Sequence, residues 1–211
     1  TERTPLPHDG MACLEAVLTY IRHGWPVVPV CIATGPLRDD GPGPCNAYWH
    51  MKKLGVCASP GKTPKRKWKG RTATTEAEAQ EWWRKGYQSN IALLMGYGHD
   101  GPVVALDVDG SEGVNSLAAL EREHGALPKT AEQQTGRGRH LIYKLPSGIE
   151  IETIKNDAGE VAPGLDVRAR GGYIIAAPSV HPAGAVYRWK DPHALITEVP
   201  AWLLALLPRR G

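Results

Sequence analysis

Residues 103 to 110 read Val-Val-Ala-Leu-Asp-Val-Asp-Gly, an apolar run that ends in two carboxylates separated by one residue. Gly101-Pro102 and Gly110 bound it, and a short aliphatic run between turn formers reads as a buried strand. Side chains alternate along a strand, so Asp107 and Asp109 point to the same side. Neighbouring acids repel and raise one another's pKa. A divalent cation between them removes that cost, and hard oxygen ligands of this kind suit Mg²⁺ or Mn²⁺. Two surface acids at a solvated strand end would give the same spacing.

A chain of 211 residues accommodates one large domain, or a domain with a small appendage, and its composition is that of an ordinary soluble globular protein. No apolar run approaches the ~18 residues of a membrane span, and the first residues carry no signal-peptide pattern. Phe is absent, and seven Trp and seven Tyr take the aromatic role. The formal charge of +3 is too small to imply a nucleic-acid partner by itself. Its distribution says more. From Gly41 to Thr75 there is no acidic residue, while Lys52, Lys53, Lys62, Lys65, Arg66, Lys67, Lys69 and Arg71 are basic. With Trp49 and Trp68 interleaved, this ribbon suits a phosphate backbone with stacking partners. The alternative is a solvated basic loop.

The four cysteines, Cys13, Cys31, Cys45 and Cys57, lie in the first third of the chain without a secretory signal, so disulfides are not the first expectation. Cys13 belongs to an apolar helix face and reads as core. The others flank a loop that holds His50, and Cys31, Cys45, His50 and Cys57 together make a tetrahedral zinc set. Such a site would pin a Gly/Pro-rich loop that has no core of its own. Free thiols with no metal are the other reading.

Taken in order, the chain predicts a helix from Met11 to Arg22 capped by Asp9 and stopped at Gly24. Val27 to Cys31 follows as an edge strand, since Pro26 and Pro29 suit no interior position. Residues 32–71 form the candidate zinc loop and basic ribbon. A helix capped by Thr75 then ends near Trp82-Trp83, and a strand runs from Asn90 to Met95. After the Asp-x-Asp strand, Val114, Leu117 and Leu120 line the apolar face of a helix from Gly113 to His124. Residues 149–163 are polar and Gly-broken, a hairpin or loose excursion. Ala185 to Trp189 is a last strand, and Pro200 to Leu207 a short helix with Pro at its first position.

Two further stretches carry chemistry. Gln134-Thr135-Gly136-Arg137-Gly138-Arg139-His140 leads from strand through a tight Gly turn into strand, and it gathers Arg137, Arg139 and His140. Donors around a turn that lets the backbone approach closely suit a triphosphate. A plain hairpin with a satisfied core histidine would look the same. Gly164-Leu165-Asp166-Val167-Arg168, followed by Gly171-Gly172-Tyr173-Ile174-Ile175-Ala176-Ala177-Pro178-Ser179, places Asp166 alone in an apolar strand with Arg168 on the same face. Asp166 is then either a structural ion-pair partner or a third metal ligand beside Asp107 and Asp109.

The ordered set, Asp-x-Asp, then Gly-x-Gly-x-His, then a strand Asp before Gly-Gly-Tyr-Ile-Ile-Ala-Ala-Pro-Ser, resembles the motifs of the archaeo-eukaryotic primase superfamily. More narrowly it is similar to the bifunctional primase-polymerase domains of plasmid, phage and mobile-element replication proteins. The likeness runs from about Ala12 to about Trp189, with smaller echoes at Gly24-Trp25, Pro60-Gly61-Lys62-Thr63-Pro64, Trp82-Trp83 and Asn90-Ile91-Ala92. It implies an α+β fold: an RRM-like catalytic sheet, a smaller N-terminal α/β portion and a zinc-stabilised loop. One catalytic domain would span 1–208, with the loop at 31–71 and the catalytic core at 90–190.

The resemblance also implies roles. Asp107, Asp109 and Asp166 would hold two Mg²⁺ or Mn²⁺ ions, and His140 would contact the triphosphate of an incoming NTP or dNTP. Arg137, Arg139, Arg168 and Lys62 are further candidate nucleotide or template contacts. Many relatives have Ser-x-His in the second motif; here Gly138 stands at the Ser position, and its backbone N–H is the candidate replacement. The implied activity is template-directed nucleotidyl transfer that makes primers or extends DNA, acting on a single-stranded DNA template and a primer strand. A helicase domain or subunit is the expected partner, the cytoplasm of a bacterial, archaeal or phage-infected cell the expected location, and the ending Arg209-Arg210-Gly211 suits a domain taken from a longer protein.

Three other classes share single features. A metal-dependent glycosyltransferase accounts for the Asp-x-Asp but not for the basic ribbon. A non-catalytic zinc nucleic-acid module leaves three strand-borne acids without a purpose. A metal-dependent nuclease does not explain the triphosphate-suited hairpin.

Overall fold

The computed structural model describes residues 5–35, 43–65, 72–84 and 88–211. Arg66, Lys67, Trp68, Lys69 and Arg71 of the basic ribbon lie outside them. The fold is mixed α and β with largely antiparallel sheets, in agreement with the α+β expectation. The elements run α1 (Cys13–Arg22), β1 (Val27–Val30), α2 (Tyr48–Leu54), α3 (Glu76–Trp82), β2 (Asn90–Leu94), β3 (Val103–Val108), α4 (Gly110–His124), β4 (Ala131–Gln134) and β5 (Arg139–Lys144). They continue with β6 (Asp157–Ala162), β7 (Leu165–Arg168), β8 (Tyr173–Ala176), β9 (Arg188–Trp189), β10 (Thr197–Glu198) and α5 (Ala201–Leu206). No described helix is long and apolar enough to cross a membrane. The chain divides into two compact units, residues 1–93 with 175–188, and residues 94–174 with 189–211.

In the second unit the strands order β6-β7-β3-β5-β4-β9, and β10 adds to β5 beyond the end of β4. The Asp-x-Asp strand β3 is therefore interior, paired antiparallel with β7 on one side and β5 on the other. One face of the sheet is apolar: Val104, Leu106, Val108, Leu141, Tyr143, Leu165 and Val167 pack with Leu117 of α4 and Leu203 of α5 into one core. The period of two that buries these residues turns Asp107, His140 and Asp166 to the other face. Burial of the apolar face thus fixes the register that gathers the polar residues.

α4 begins three residues earlier than expected, directly after Asp109, and Val114 is exposed. The buried stripe is Gly113 and Leu117, with Leu120 packed beside them. A Cβ at Gly113 would overlap the Gly164 carbonyl, so the missing side chain seats the helix on the start of β7 and rotates Val114 outward.

In the first unit, β1 is the edge strand of a three-stranded sheet in the order β1-β2-β8. That position suits Pro26 just before the strand and Pro29 within it. Tyr20 of α1 and Trp25 just after it are buried, and the Tyr20 hydroxyl donates to the Ala177 carbonyl at 2.6 Å. Thr75 caps α3 as expected, in a capping box closed by Glu78, and Trp83 rather than Trp82 is the buried member of the pair. Asp9 does not cap α1. The cap is Ala12, with no side-chain bond, and Asp9 instead pairs with Arg188 at 3.3 Å. The loop after β1 is not structureless either, because α2 forms within it. Pro200 stands before α5 rather than in its first turn, and the last expected strand shortens to Arg188–Trp189.

Candidate active site and metal centre

Three neighbouring strands of the second unit build the acidic site. Asp107 on β3 stands directly opposite Asp166 on β7 and, on its other flank, His140 on β5. Directly opposed residues share a face with Cβ atoms ~4.5–5.5 Å apart, a spacing at which like charges destabilise the pair. Each acid has a basic neighbour: Arg168 Nη2 lies 2.8 Å from Asp166, His140 Nε2 3.5 Å from Asp107, and Arg137 Nη2 3.5 Å from Asp109. Burial, the largest cause, still holds the Asp166 carboxyl above the ordinary carboxylate range. Arg168 pulls it down, and Asp107 and Asp109 push it up. Hard oxygen donors that repel one another at a partly exposed strand face fit a divalent cation, which would relieve that repulsion.

Asp109 differs from its neighbours. It is the residue after β3, its carbonyl accepts from Gly113 N–H at 3.0 Å at the start of α4, and its side chain is exposed. Among the described residues the three acids do not gather as closely as the cysteine and histidine group below.

His140 is buried, and opposite it on β4 lies Gln133, which is fully buried. The Gln133 amide nitrogen lies 2.9 Å from His140 Nδ1. With Gln133 donating to Nδ1, the neutral ring carries its proton on Nε2, the atom that faces Asp107. Sequence reading missed Gln133. The signal lay in the hairpin: once the turn is centred on Gly136-Arg137, residues 133 and 140 must pair.

The turn separates residues that the sequence groups. Arg137 stays beside Asp109, but Arg139 does not join His140. Alternation turns it to the helix-covered face, where it meets Glu132 at 3.6 Å and lines a cleft of about 570 Å³ with Leu117, Leu141, Tyr143 and Lys190. Gly138 is demanded by contact, since a Cβ there would overlap the Val108 carbonyl oxygen. Its N–H, expected to replace a serine hydroxyl, is instead donated to Thr135 Oγ1 at 3.0 Å, closing the turn. Lys62 lies in a turn of the first unit, where its N–H donates to the Ser59 carbonyl.

The first unit holds the second group. Cys31, Cys45, His50 and Cys57 bring one ligand atom each to within 4.8 Å of one another. Cys31 Sγ lies 3.8 Å from Cys57 Sγ, and Cys45 Sγ 3.4 Å from His50 Nδ1. Tetrahedral zinc with bonds of about 2.3 Å to sulfur and 2.0–2.1 Å to nitrogen separates its ligands by about 3.5–3.8 Å, so the set fits zinc. His50 Nε2 faces the Pro64 carbonyl at 3.0 Å, the outer contact that leaves Nδ1 free to ligate. The three cysteine residues are buried, and burial pushes the Cys31 thiol up to about 12. Deprotonating it costs energy that a dication in the cluster would offset.

Comparison with curated proteins found no match. A family model described as the bifunctional DNA primase/polymerase, N-terminal domain matches residues 17–202, which takes in Asp107, Asp109, His140, Asp166 and the cysteine cluster. The chain belongs to the bifunctional DNA primase/polymerase family.

Proposed function

We propose that the chain carries out template-directed nucleotidyl transfer, making or extending a primer strand on single-stranded DNA, with the acidic face of the second unit as its active site. Family membership implies DNA primase/polymerase chemistry in general. One observation carries the finer reading: Asp107, Asp166 and His140 stand side by side in register on one sheet face. We read that sheet, with helices behind it and acids in front, as the RRM-like catalytic sheet of the family, within one catalytic domain.

In this reading Asp107, Asp109 and Asp166 hold two divalent ions, Mg²⁺ or Mn²⁺. Bound there, the ions supply Lewis-acid activation of a 3′-hydroxyl and charge neutralisation at the leaving pyrophosphate. The chain's own residues position. His140, its tautomer held by Gln133, offers the Nε2 proton to the triphosphate. Arg168 and Arg137 leave the carboxylates and add positive charge where phosphate oxygens arrive. Arg139 is outside this set because it faces the helices. Cys31, Cys45, His50 and Cys57 hold a structural zinc ion that supplies a cross-link where the loop lacks a core.

Labelled-nucleotide incorporation on primed and unprimed single-stranded templates, with Mg²⁺ or Mn²⁺, tests this reading beside Asp107→Ala. Products in the wild type that vanish in the variant are expected. Synthesis at an undiminished rate by Asp107→Ala would remove the acidic face from the mechanism.

A further inference from the structure

The short helix α2 divides its residues cleanly. Ala47 just before it is buried, His50 faces Cys45, and Met51 packs against the cysteine cluster. At 100° per residue Tyr48, Trp49, Lys52 and Lys53 fall on the opposite side, and all four are exposed. Tyr48 and Trp49 are 63% and 67% exposed, the two aromatic side chains among the exposed large hydrophobic residues of the described part of the chain. They meet edge to face at 5.6 Å, and the Lys52 ammonium stands 5.2 Å over the Tyr48 ring. The helix has no acid, and none occurs from Gly41 to Thr75.

Two adjacent aromatic rings left in water, with lysines beside them and no carboxylate, are unusual for a surface that only needs to be soluble. The chemistry that satisfies both features is a single-stranded polynucleotide. Its unstacked bases offer flat faces to the rings, and its phosphates pair with the lysines. A duplex keeps its bases stacked on one another and offers the rings nothing.

We infer that the outward face of α2, Tyr48 and Trp49 with Lys52 and Lys53, is a base-stacking platform for single-stranded DNA, anchored through His50 to the cysteine cluster. This rests on the reading of the chain as an enzyme of single-stranded template, and it assigns part of the template contact to a surface other than the acidic site. The cluster's role here is mechanical. His50 and Met51 fix the inner side of α2, so the outer side is presented without a core beneath it.

The test uses the zinc-loaded full chain and fluorescence anisotropy of labelled oligo(dT), with neither nucleotide nor Mg²⁺. Trp49→Ala and Tyr48→Ala should each weaken binding by about 5- to 150-fold, the range of one lost base stack, with the salt dependence unchanged. Lys52→Gln and Lys53→Gln should each lower the slope of log K against log salt by about 0.7. A duplex of matching length should bind without regard to Trp49. Unchanged zinc content in each variant shows that the cluster is intact. Wild-type affinity in both aromatic variants overturns the platform, as does equal weakening on single strand and duplex. Capture of another protein through Trp49 with no effect on oligo(dT) also overturns it. The parent reading is separately decided: Asp107→Ala should lose synthesis and keep oligo(dT) affinity. A chain that binds through Trp49 yet never synthesises keeps the platform and loses the enzyme.

Discussion

The acidic face and the cysteine cluster gather ligands by opposite means. Asp107, Asp166 and His140 are brought together by strand register, and each is held by the same backbone bonds that build the sheet. Cys31, Cys45, His50 and Cys57 come from the end of a strand, two loop segments and a short helix, joined by isolated bridges such as Ala33 to Cys45 and Gly43 to Cys57 rather than by a sheet. The first offers hard oxygen donors on a partly exposed sheet face. The second offers soft, largely buried donors that could hold one metal ion. The contrast matches the proposed roles: open donors on a rigid sheet for a site that would exchange substrates, closed donors for one that would hold a loop.

The largest effect should come from the cluster. Stripping zinc with a strong chelator, or Cys45→Ser, should lower the melting temperature by at least ~10 °C, several kcal/mol at roughly 2–4 °C per kcal/mol for a chain of this size. Protease cleavage within residues 43–65 should appear at the same time. Differential scanning calorimetry beside zinc analysis reads both. Asp107→Ala should do the reverse: synthesis falls by ~10³-fold or more, the several kcal/mol expected of metal-held charge, while the metal-free melting temperature stays level or rises. The rise follows because the variant removes a like charge opposite Asp166.

Register also makes the Gly turn brittle. Gly138→Ser would create the Ser-x-His spacing of the second motif, yet its side chain would run into the Val108 carbonyl, so a loss of roughly 2–3 kcal/mol in denaturant titration is expected. Gln133→Leu should leave the sheet folded and raise the nucleotide KM by about 10-fold with little change in kcat, since it frees the His140 tautomer. A heteronuclear NMR spectrum of the His140 ring nitrogens reads that tautomer directly.

The smallest effect is in pH. Burial holds the folded Asp166 carboxyl above its ordinary value, so the native state keeps a proton that the unfolded chain has lost. Stability of the metal-free protein therefore falls as pH rises from the unfolded to the folded value, then levels off. Mg²⁺ favours the carboxylate and should remove the fall. Asp166→Asn should flatten it by a few degrees in melting temperature, seen in scans across the acid range with and without Mg²⁺.

How much of this the sequence displayed depends on the kind of signal. The apolar run with its two acids and the order of the three motifs made the strands around Asp107, His140 and Asp166 legible, because period two and a buried face leave little freedom. The same rule separates Arg139 from His140, which a count of donors along the chain hides. Gln133 needed the hairpin register, which a Gly-rich turn does not declare. The Cys31, Cys45, His50, Cys57 set was visible as residue types, but α2 was not. Tyr-Trp-His-Met-Lys-Lys-Leu has no apolar stripe to mark a helix, and its inner side rests on a cluster rather than a core. Asp9 and Val114 misled because local spacing cannot tell which of several adjacent residues the tertiary contacts select.

Mn²⁺ titration of the zinc-loaded protein tests most directly the proposal that one chain holds two metal sites of opposite chemistry. Free Mn²⁺ is read by electron paramagnetic resonance and zinc by elemental analysis, in the wild type, Asp107→Asn and Cys45→Ser. Asp107→Asn should lose Mn²⁺ uptake and keep its zinc, while Cys45→Ser should lose zinc. Mn²⁺ uptake undiminished in Asp107→Asn would contradict it.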